Sequence, residues 1–213
     1  MTFRDRESSA WLLLDKLKHY KDQNVLVAGI PRGAMPMAKI LAEGLNAELT
    51  AVLVHKIPSP QNKEFAIGSV GLSGYIWRDN YVEEYGIPES YIHEAAAKQM
   101  EVLKERRNRY GLKETDMKDR IVILVDDGIA TGATTLSAVH EVRAHGPAKI
   151  VLAAAVSSVS AAHKLEHLVD ELVLLDTPAA FFSVGQFFYD FPQVSDDEVI
   201  EILNSRERQR RVA

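Results

Sequence analysis

The sequence predicts an α/β fold in which a central parallel sheet is flanked by helices. Short apolar runs alternate with helical patterns along most of the 213-residue chain. Runs such as residues 24–30 and 149–156 are almost continuously apolar, which is typical of strands buried on both faces of a parallel sheet. Ligands of such sheets bind outside the carboxyl ends of the strands. Residues that directly follow the strands are therefore the first candidates for a functional site.

The elements can be assigned in chain order from hydrophobic spacing and from turn residues. Strands are predicted at 24–30, 48–57, 120–125, 149–156 and 171–176. Helices are predicted at 8–20, 31–45, 88–111, 131–147 and 160–168, with a last helix from about residue 195. Between residues 58 and 80, two prolines and three glycines predict a flexible loop that runs into a β-hairpin.

Composition and charge limit the possible partners. The net charge of −5 and the pI of about 5.8 argue against broad nucleic-acid binding. A basic cluster at Lys104–Arg109 is either a solvated helix face or a local attractor for a polyanionic small molecule. Because there is no cysteine, any metal must be bound by oxygen or nitrogen, and we expect a cytoplasmic protein. No apolar run is long enough to cross a bilayer, so no membrane partner is expected.

Two adjacent carboxylates stand at the end of one apolar strand, in the segment RIVILVDDGIATGATT at residues 120–135. Asp126 and Asp127 repel each other unless a positive or hydroxyl-rich group engages them. The following loop is made of small residues and threonines, so a phosphate can approach the unpaired N–H groups of the next helix. Thr131, Thr134 and Thr135 add hydroxyl donors. The segment therefore predicts a sugar phosphate, with its phosphate on the loop and its diol on the two acids.

Other chemistries lack their motifs. A Walker A loop would need Gly-Lys-Ser/Thr, and a dinucleotide site would need Gly-x-Gly-x-x-Gly; neither is present. A plain strand–turn–helix connection remains an alternative. His163 and His167 are four residues apart, as zinc ligands can be, but without an obvious third ligand we favour an exposed helix face.

VILVDDGIATGATT resembles the signature of type I phosphoribosyltransferases. GIPRGAMPMA resembles the pyrophosphate loop of that family, and HKIPSPQNKEFAIGSVG takes the place of its flexible catalytic loop. The likeness covers nearly the whole chain, which is similar to a group of bacterial phosphoribosyltransferase-like proteins. It implies a single domain over residues 1–213, with the flexible loop and hairpin at 58–80 and a hood plus C-terminal helix at 177–213.

The resemblance also implies a role for each matching residue. Asp126 and Asp127 would hold the ribose hydroxyls of 5-phosphoribosyl 1-pyrophosphate and, with a weaker contribution from Asp190, a Mg²⁺ ion. Catalysis would depend on these two acids together with Arg32 and Lys56. Substrate binding would involve Pro31, Arg32, Gly33, Asp126, Asp127, Gly128, Ile129, Ala130, Thr131, Gly132, Ala133, Thr134 and, by stacking on the acceptor base, Phe182. Lys63 and Arg78 would be further candidates for contacting the pyrophosphate.

The implied activity is transfer of a phosphoribosyl group to a nitrogenous base or similar acceptor, with Mg²⁺ as cofactor and a homodimer as the expected assembly. The alternative is a regulator that senses 5-phosphoribosyl 1-pyrophosphate or nucleotides. The sequence has the loops needed for catalysis and no separate DNA-binding domain, which favours the enzyme; the basic cluster is the feature that favours the regulator.

Overall fold

The computed structural model describes residues 1–63 and 65–212, with side chains in the last helix described as far as Ser205. Glu64, in the predicted flexible loop, and Ala213, at the end of the predicted domain, lie outside the described residues.

Helices and strands alternate along the chain. The strands are β1 (Val25–Gly29), β2 (Glu48–Ala51), β3 (Val54–Pro58), β4 (Ala66–Gly71), β5 (Ile76–Arg78), β6 (Ile121–Ile129), β7 (Lys149–Ser157) and β8 (Glu171–Asp176). The helices are α1 (Arg6–Leu17), α2 (Met35–Gly44), α3 (Tyr81–Glu84), α4 (Glu89–Tyr110), α5 (Ala133–Ala144), α6 (Val159–Glu166) and α7 (Asp196–Val212).

Five of the strands form one parallel sheet in the order β2-β1-β6-β7-β8. The predicted central parallel sheet flanked by helices is therefore confirmed. The chain leaves β1 toward one edge of the sheet and leaves β6 toward the other. The carboxyl ends of β1 and β6 consequently lie at the point where the strand order reverses, which is where open α/β sheets bind their ligands.

Alternate residues of the strands bury against opposite helical layers. Val25 and Val27 share a core with Leu13 of α1 and Leu41 of α2. The intervening strand residues pack on the other face, in a core that includes Val139 of α5. Both faces of the parallel sheet are covered by apolar side chains of the helices, which explains why these strands are continuously apolar in sequence.

The predicted strand at 48–57 is wrong in one respect, because the chain breaks there and continues in a second sheet. The N–H group of Val52 donates the last bond to β1, at Gly29 (3.0 Å). From Val54 the chain pairs with β4, and β3-β4-β5 forms an antiparallel three-stranded sheet that contains the predicted hairpin. Val52 and Leu53, the two residues between β2 and β3, are both buried. The apolar pattern therefore continues through the break and does not reveal it.

Helix α4 ties this lobe to the C-terminal helix. It ends at Gly111, which has a left-handed backbone (φ 62°) suited to glycine. At its last residue, the buried Tyr110 donates a hydrogen bond of 2.6 Å to Asp196, the first residue of α7. Ser195 caps α7, since its hydroxyl accepts from the Glu198 N–H at 3.2 Å.

Candidate functional site

A cavity of about 570 Å³ opens at the carboxyl ends of β1 and β6. Its walls come from the loop after β1, the end of β6 with the first turn of α5, the start of α1, and the segment before α7. The lining residues are Arg6, Ile30, Pro31, Arg32, Gly33, Asp126, Asp127, Gly128, Ile129, Ala130, Thr131, Gly132, Ala133, Thr134, Thr135, Val184, Phe191, Pro192, Gln193 and Val194. Twelve of the predicted site residues are thus brought to one place, although the chain separates them by about a hundred positions.

Asp126 and Asp127 lie within the last part of β6, which extends to Ile129 rather than ending at residue 125. Asp126 Oδ2 accepts a hydrogen bond from the buried hydroxyl of Thr135 (2.7 Å), and its Oδ1 accepts from the Asp127 N–H (3.0 Å). Burial and the neighbouring Asp127 charge raise the pKa of Asp126 to about 7. Asp126 can therefore both accept and release a proton near neutral pH.

Asp127 has a cationic partner that sequence reasoning missed. Arg6, at the start of α1, donates through Nε to Asp127 Oδ2 at 2.8 Å, and the two side chains are only 10% and 14% exposed. Burial raises the pKa of Asp127, while the Arg6 charge opposes that rise. The two acids that would repel each other are engaged by a hydroxyl and a guanidinium of the chain itself.

The loop from Ala130 to Thr134 lines the cavity and leads into α5. Gly132 has a left-handed backbone (φ 77°) at the N-cap of α5, and the N–H groups of a first helical turn have no intrahelical acceptor. The neighbouring helix supports this loop, because Ser158, the N-cap of α6, donates to the Ala130 carbonyl at 2.6 Å. The loop can therefore bind an anion, although the Thr135 hydroxyl is used by Asp126 and is not an added donor as predicted.

The loop after β1 packs directly on the acids. The peptide bond between Pro31 and Arg32 is cis. A Cβ on Gly33 would lie 2.1 Å from Asp127 Oδ2, so only glycine allows this approach. The Arg32 side chain lies 3.7 Å from Asp196 and is 36% exposed, which leaves its guanidinium accessible to a ligand in the cavity.

Five predicted residues lie outside this cavity. Arg78 pairs with Glu89, and Lys63 is exposed. Lys56 is exposed on β3 and lines a separate cavity of about 120 Å³, which it shares with Thr131 and Lys164 on the far side of the anion loop. Phe182 is 89% exposed, and Asp190 is also exposed. The structure does not bring Phe182 or Asp190 to the two acids.

Comparison with known proteins identifies the family. A family model for the phosphoribosyl transferase domain matches residues 6–188. The chain belongs to the phosphoribosyl transferase family. Crystallised TT1426 from Thermus thermophilus is 38% identical, covers 96% of this chain and 99% of its own, and superposes with a TM-score of 0.87. AQ2163 from Aquifex aeolicus is 14% identical over 93% of this chain and 82% of its own (TM-score 0.51), and shares the fold.

Curated relatives agree with this assignment. A Mycobacterium tuberculosis protein named "Putative phosphoribosyl transferase Rv0571c" is 36% identical over 209 residues, which is 97% of this chain. Those residues are 47% of the relative, so the chain spans about half the length of the curated relatives it matches. The sheet and its flanking helices are those of the type I phosphoribosyltransferases.

The donor set of this phosphoribosyl transferase site fits a hard cation such as Mg²⁺. The candidate ligands are carboxylate oxygens, which Mg²⁺ prefers, and it usually completes its shell with water and substrate phosphates. Asp127 Oδ2 is enclosed by Arg6 and Gly33, so Asp126 and Asp127 Oδ1 are the oxygens that could hold the ion.

Several residues of the site received no role from the sequence. Arg6 stands 121 positions before Asp127, and although its segment FRDR (residues 3–6) is part of the family likeness, nothing local pairs it with an acid. Phe191 lines the cavity while Phe182, nine residues earlier in a similar aromatic run, does not. Val184 packs against Gly128, where a Cβ would lie 2.3 Å from the valine side chain.

Other features singled out in the sequence have ordinary surroundings. In the basic cluster, Lys104 pairs with Glu101 (2.8 Å) and Arg109 with Asp196 (2.8 Å), so part of its charge is neutralised within the chain. His163 and His167 are exposed as expected, but both contact Glu166, so the structure supplies a potential third metal ligand that the sequence did not reveal. Among the described residues, no helix is sufficiently long and apolar to span a membrane.

Proposed function

We propose that the chain transfers the 5-phosphoribosyl group of 5-phosphoribosyl 1-pyrophosphate to a ring nitrogen of a base-like acceptor and releases pyrophosphate. The main support is one continuous segment, residues 126–134, that presents two carboxylates and an anion-binding helix N-terminus to the same cavity. A sugar that carries a diol and a 5-phosphate matches both halves of this segment.

Each end of the sugar pyrophosphate can be matched to one wall of the cavity. The N–H groups at the start of α5 face the 5-phosphate, and Asp126 with Asp127 Oδ1 accept the ribose hydroxyls. The Pro31–Gly33 loop lies opposite, where Arg32 can neutralise the pyrophosphate. The anomeric carbon is thereby held between the diacid and the loop that receives the leaving group.

The reaction forms a bond from the acceptor nitrogen to the anomeric carbon while the bond from that carbon to the pyrophosphate oxygen breaks. Negative charge accumulates on the leaving pyrophosphate, and Arg32 stabilises it electrostatically. Mg²⁺, when bound, would supply further charge stabilisation on the phosphate oxygens. The electron pair of the broken bond leaves with the pyrophosphate oxygen, and the acceptor nitrogen releases its proton to solvent.

The acceptor side is the less defined part of this proposal. We take Phe191 and Pro192 as the acceptor-side wall of the cavity, and the exposed Phe182 remains the proposed stacking residue at its outer edge. Lys56 remains a proposed contact to the phosphate region from the far side of the loop. We further propose a homodimer, which size-exclusion chromatography with light scattering would test.

The experiment is a screen of free bases with Mg²⁺ and 5-phosphoribosyl 1-pyrophosphate that monitors pyrophosphate release, together with calorimetry of sugar binding. We expect turnover with at least one base, and loss of sugar binding in the folded double variant Asp126→Asn, Asp127→Asn. Asp197→Asn, at a side chain 88% exposed on α7, is the matched control. Failure of the wild-type protein to bind the sugar would reject the proposal, whereas tight binding without any turnover would favour the sensor.

A further inference from the structure

The guanidinium of Arg6 joins the sugar side of the cavity to its acceptor side. Nε donates to Asp127 Oδ2 (2.8 Å), and Nη1 donates to the Pro192 carbonyl (2.6 Å). The same group lies over the Phe191 ring, with Cζ 3.6 Å from the ring centroid. One side chain therefore contacts both the diacid and residues 191–192 of the predicted hood.

Residues 191–194, here called the rim segment, are anchored at both ends by side-chain packing, because Phe191 stacks on Phe188 (ring centroids 4.8 Å apart) and Val194 is buried. All four line the cavity. Within the described part of the chain, the Arg6 bond to Pro192 is the one hydrogen bond recorded for their backbone. The preceding residues are held by backbone bonds, Tyr189 to Phe3 (3.0 Å) and Asp190 to Arg4 (2.9 Å). Between these packed ends, the backbone at Pro192 is oriented toward the acids by its bond from Arg6.

Arg6 also determines which oxygens the diacid can offer. Asp127 Oδ2 lies between the Arg6 guanidinium and the backbone of Gly33, where a Cβ would be 2.1 Å away. That oxygen is enclosed by the protein, so a ribose hydroxyl or a cation is left with Oδ1 and with Asp126. A change in the Asp127 side chain on ligand binding would be transmitted to Arg6 through a charge-assisted bond between two nearly buried groups.

We propose that Arg6 is a positioning residue that couples occupancy of the sugar site to the order of the rim segment. The inference rests on the proposed function, because the coupled ligand is the sugar pyrophosphate. Sugar bound to Asp127 fixes Arg6, and Arg6 then holds Pro192 and Phe191 over the acceptor side of the cavity. An acceptor consequently meets a formed wall only after the sugar has bound.

Hydrogen exchange and calorimetry on the full chain test this inference. The variants are Arg6→Gln and Arg6→Lys, and the matched control is Arg4→Ala, whose side chain is 79% exposed and pairs only with Asp5 among the described residues. In wild type, the sugar with Mg²⁺ should slow amide exchange at Tyr189 and Asp190, whose N–H groups donate to Phe3 and Arg4 directly before the rim segment. In Arg6→Gln this protection should disappear, exchange in the unliganded protein should be roughly tenfold faster, and the sugar Kd should rise roughly tenfold.

Arg6→Lys separates coupling from simple charge balance. Lysine keeps a positive charge beside Asp127 but has no planar fork that can reach two acceptors at once. It should restore much of the sugar affinity and little of the protection at Tyr189 and Asp190. Wild-type affinity together with wild-type protection in Arg6→Gln would overturn the inference. If the wild-type protein does not bind the sugar, the proposed function fails, independently of the inference about Arg6. Unchanged amide exchange in unliganded Arg6→Gln would show that Arg6 does not hold the rim segment.

Discussion

The hydroxyl of Thr135 donates a hydrogen bond of 2.7 Å to Asp126 Oδ2, which connects the end of β6 to the first turn of α5. Thr135 is 2% exposed. This bond joins the residue before the loop to a residue after it, so it fixes the two ends of the loop relative to each other. It also means that Asp126 is held by the helix that would bind the phosphate. The geometry of the site thus depends on a contact nine residues apart in sequence.

Removing this hydroxyl should destabilise the protein. Thr135→Val keeps the side-chain shape but leaves a carboxylate oxygen without its donor, which we expect to cost about 1–3 kcal/mol of unfolding free energy. Thr135→Ser keeps the donor and should lose less than Thr135→Val. Urea denaturation of both variants gives the comparison. Equal losses would show that methyl packing, and not the hydrogen bond, is the important feature.

Stability of the ligand-free protein should fall as pH rises toward neutrality. The pKa of Asp126 is near 7 in the folded protein against 3.8 ordinarily, so the folded state binds more protons than the unfolded chain between these values. The stabilisation is present at low pH and is lost as pH rises to about 7. Asparagine does not titrate, so Asp126→Asn should show a shallower loss of Tm from pH 5 to pH 8. Thermal unfolding in EDTA measures this, and parallel profiles would contradict it.

Gly33→Ala should disrupt the site without unfolding the sheet. The new Cβ would lie 2.1 Å from Asp127 Oδ2, so the loop after β1 must move away from the Arg6–Asp127 pair. We expect the affinity for 5-phosphoribosyl 1-pyrophosphate to fall at least tenfold, measured by calorimetry. Gly86→Ala is the control, because its Cβ meets open space and its φ of 58° adds only a strain of about 1–2 kcal/mol. Equal binding by both variants would show that Gly33 does not need to approach Asp127.

The contact between α4 and α7 should contribute measurably to stability. Asp196 accepts from Tyr110 (2.6 Å) and pairs with Arg109 (2.8 Å). Asp196→Ala should cost about 1–3 kcal/mol, because the buried Tyr110 hydroxyl loses its acceptor. Asp197→Ala, next in sequence and largely exposed, should stay within about 0.5 kcal/mol. In Tyr110→Phe the effect of Asp196→Ala should shrink. An unchanged effect would assign the cost to the ion pairs with Arg109 and Arg32.

The hydrophobic pattern along the sequence could predict those strands and helices whose residues are buried in a regular way along the chain. β6, β7 and the helices after them were recognised because apolar strands and helix-start residues are local signals. The extension of β6 through Asp126 and Asp127 was missed, since charged residues usually end a buried strand. The break between β2 and β3 was missed because apolar residues are buried on through it, Val52 in one core and Leu53 in another.

The sequence by itself determined the diacid, the small-residue loop and the helix that follows, because these are consecutive and their chemistry depends on spacing alone. Only the tertiary structure decided that Arg6 engages Asp127, that Phe191 and not Phe182 lines the cavity, and that Asp196 lies beside Arg32. Those relations join distant segments, and they arise from how α1, α7 and the residues before α7 pack on the sheet. A spacing rule describes neighbours along the chain, whereas the partner of a buried charge is set by the elements that enclose it.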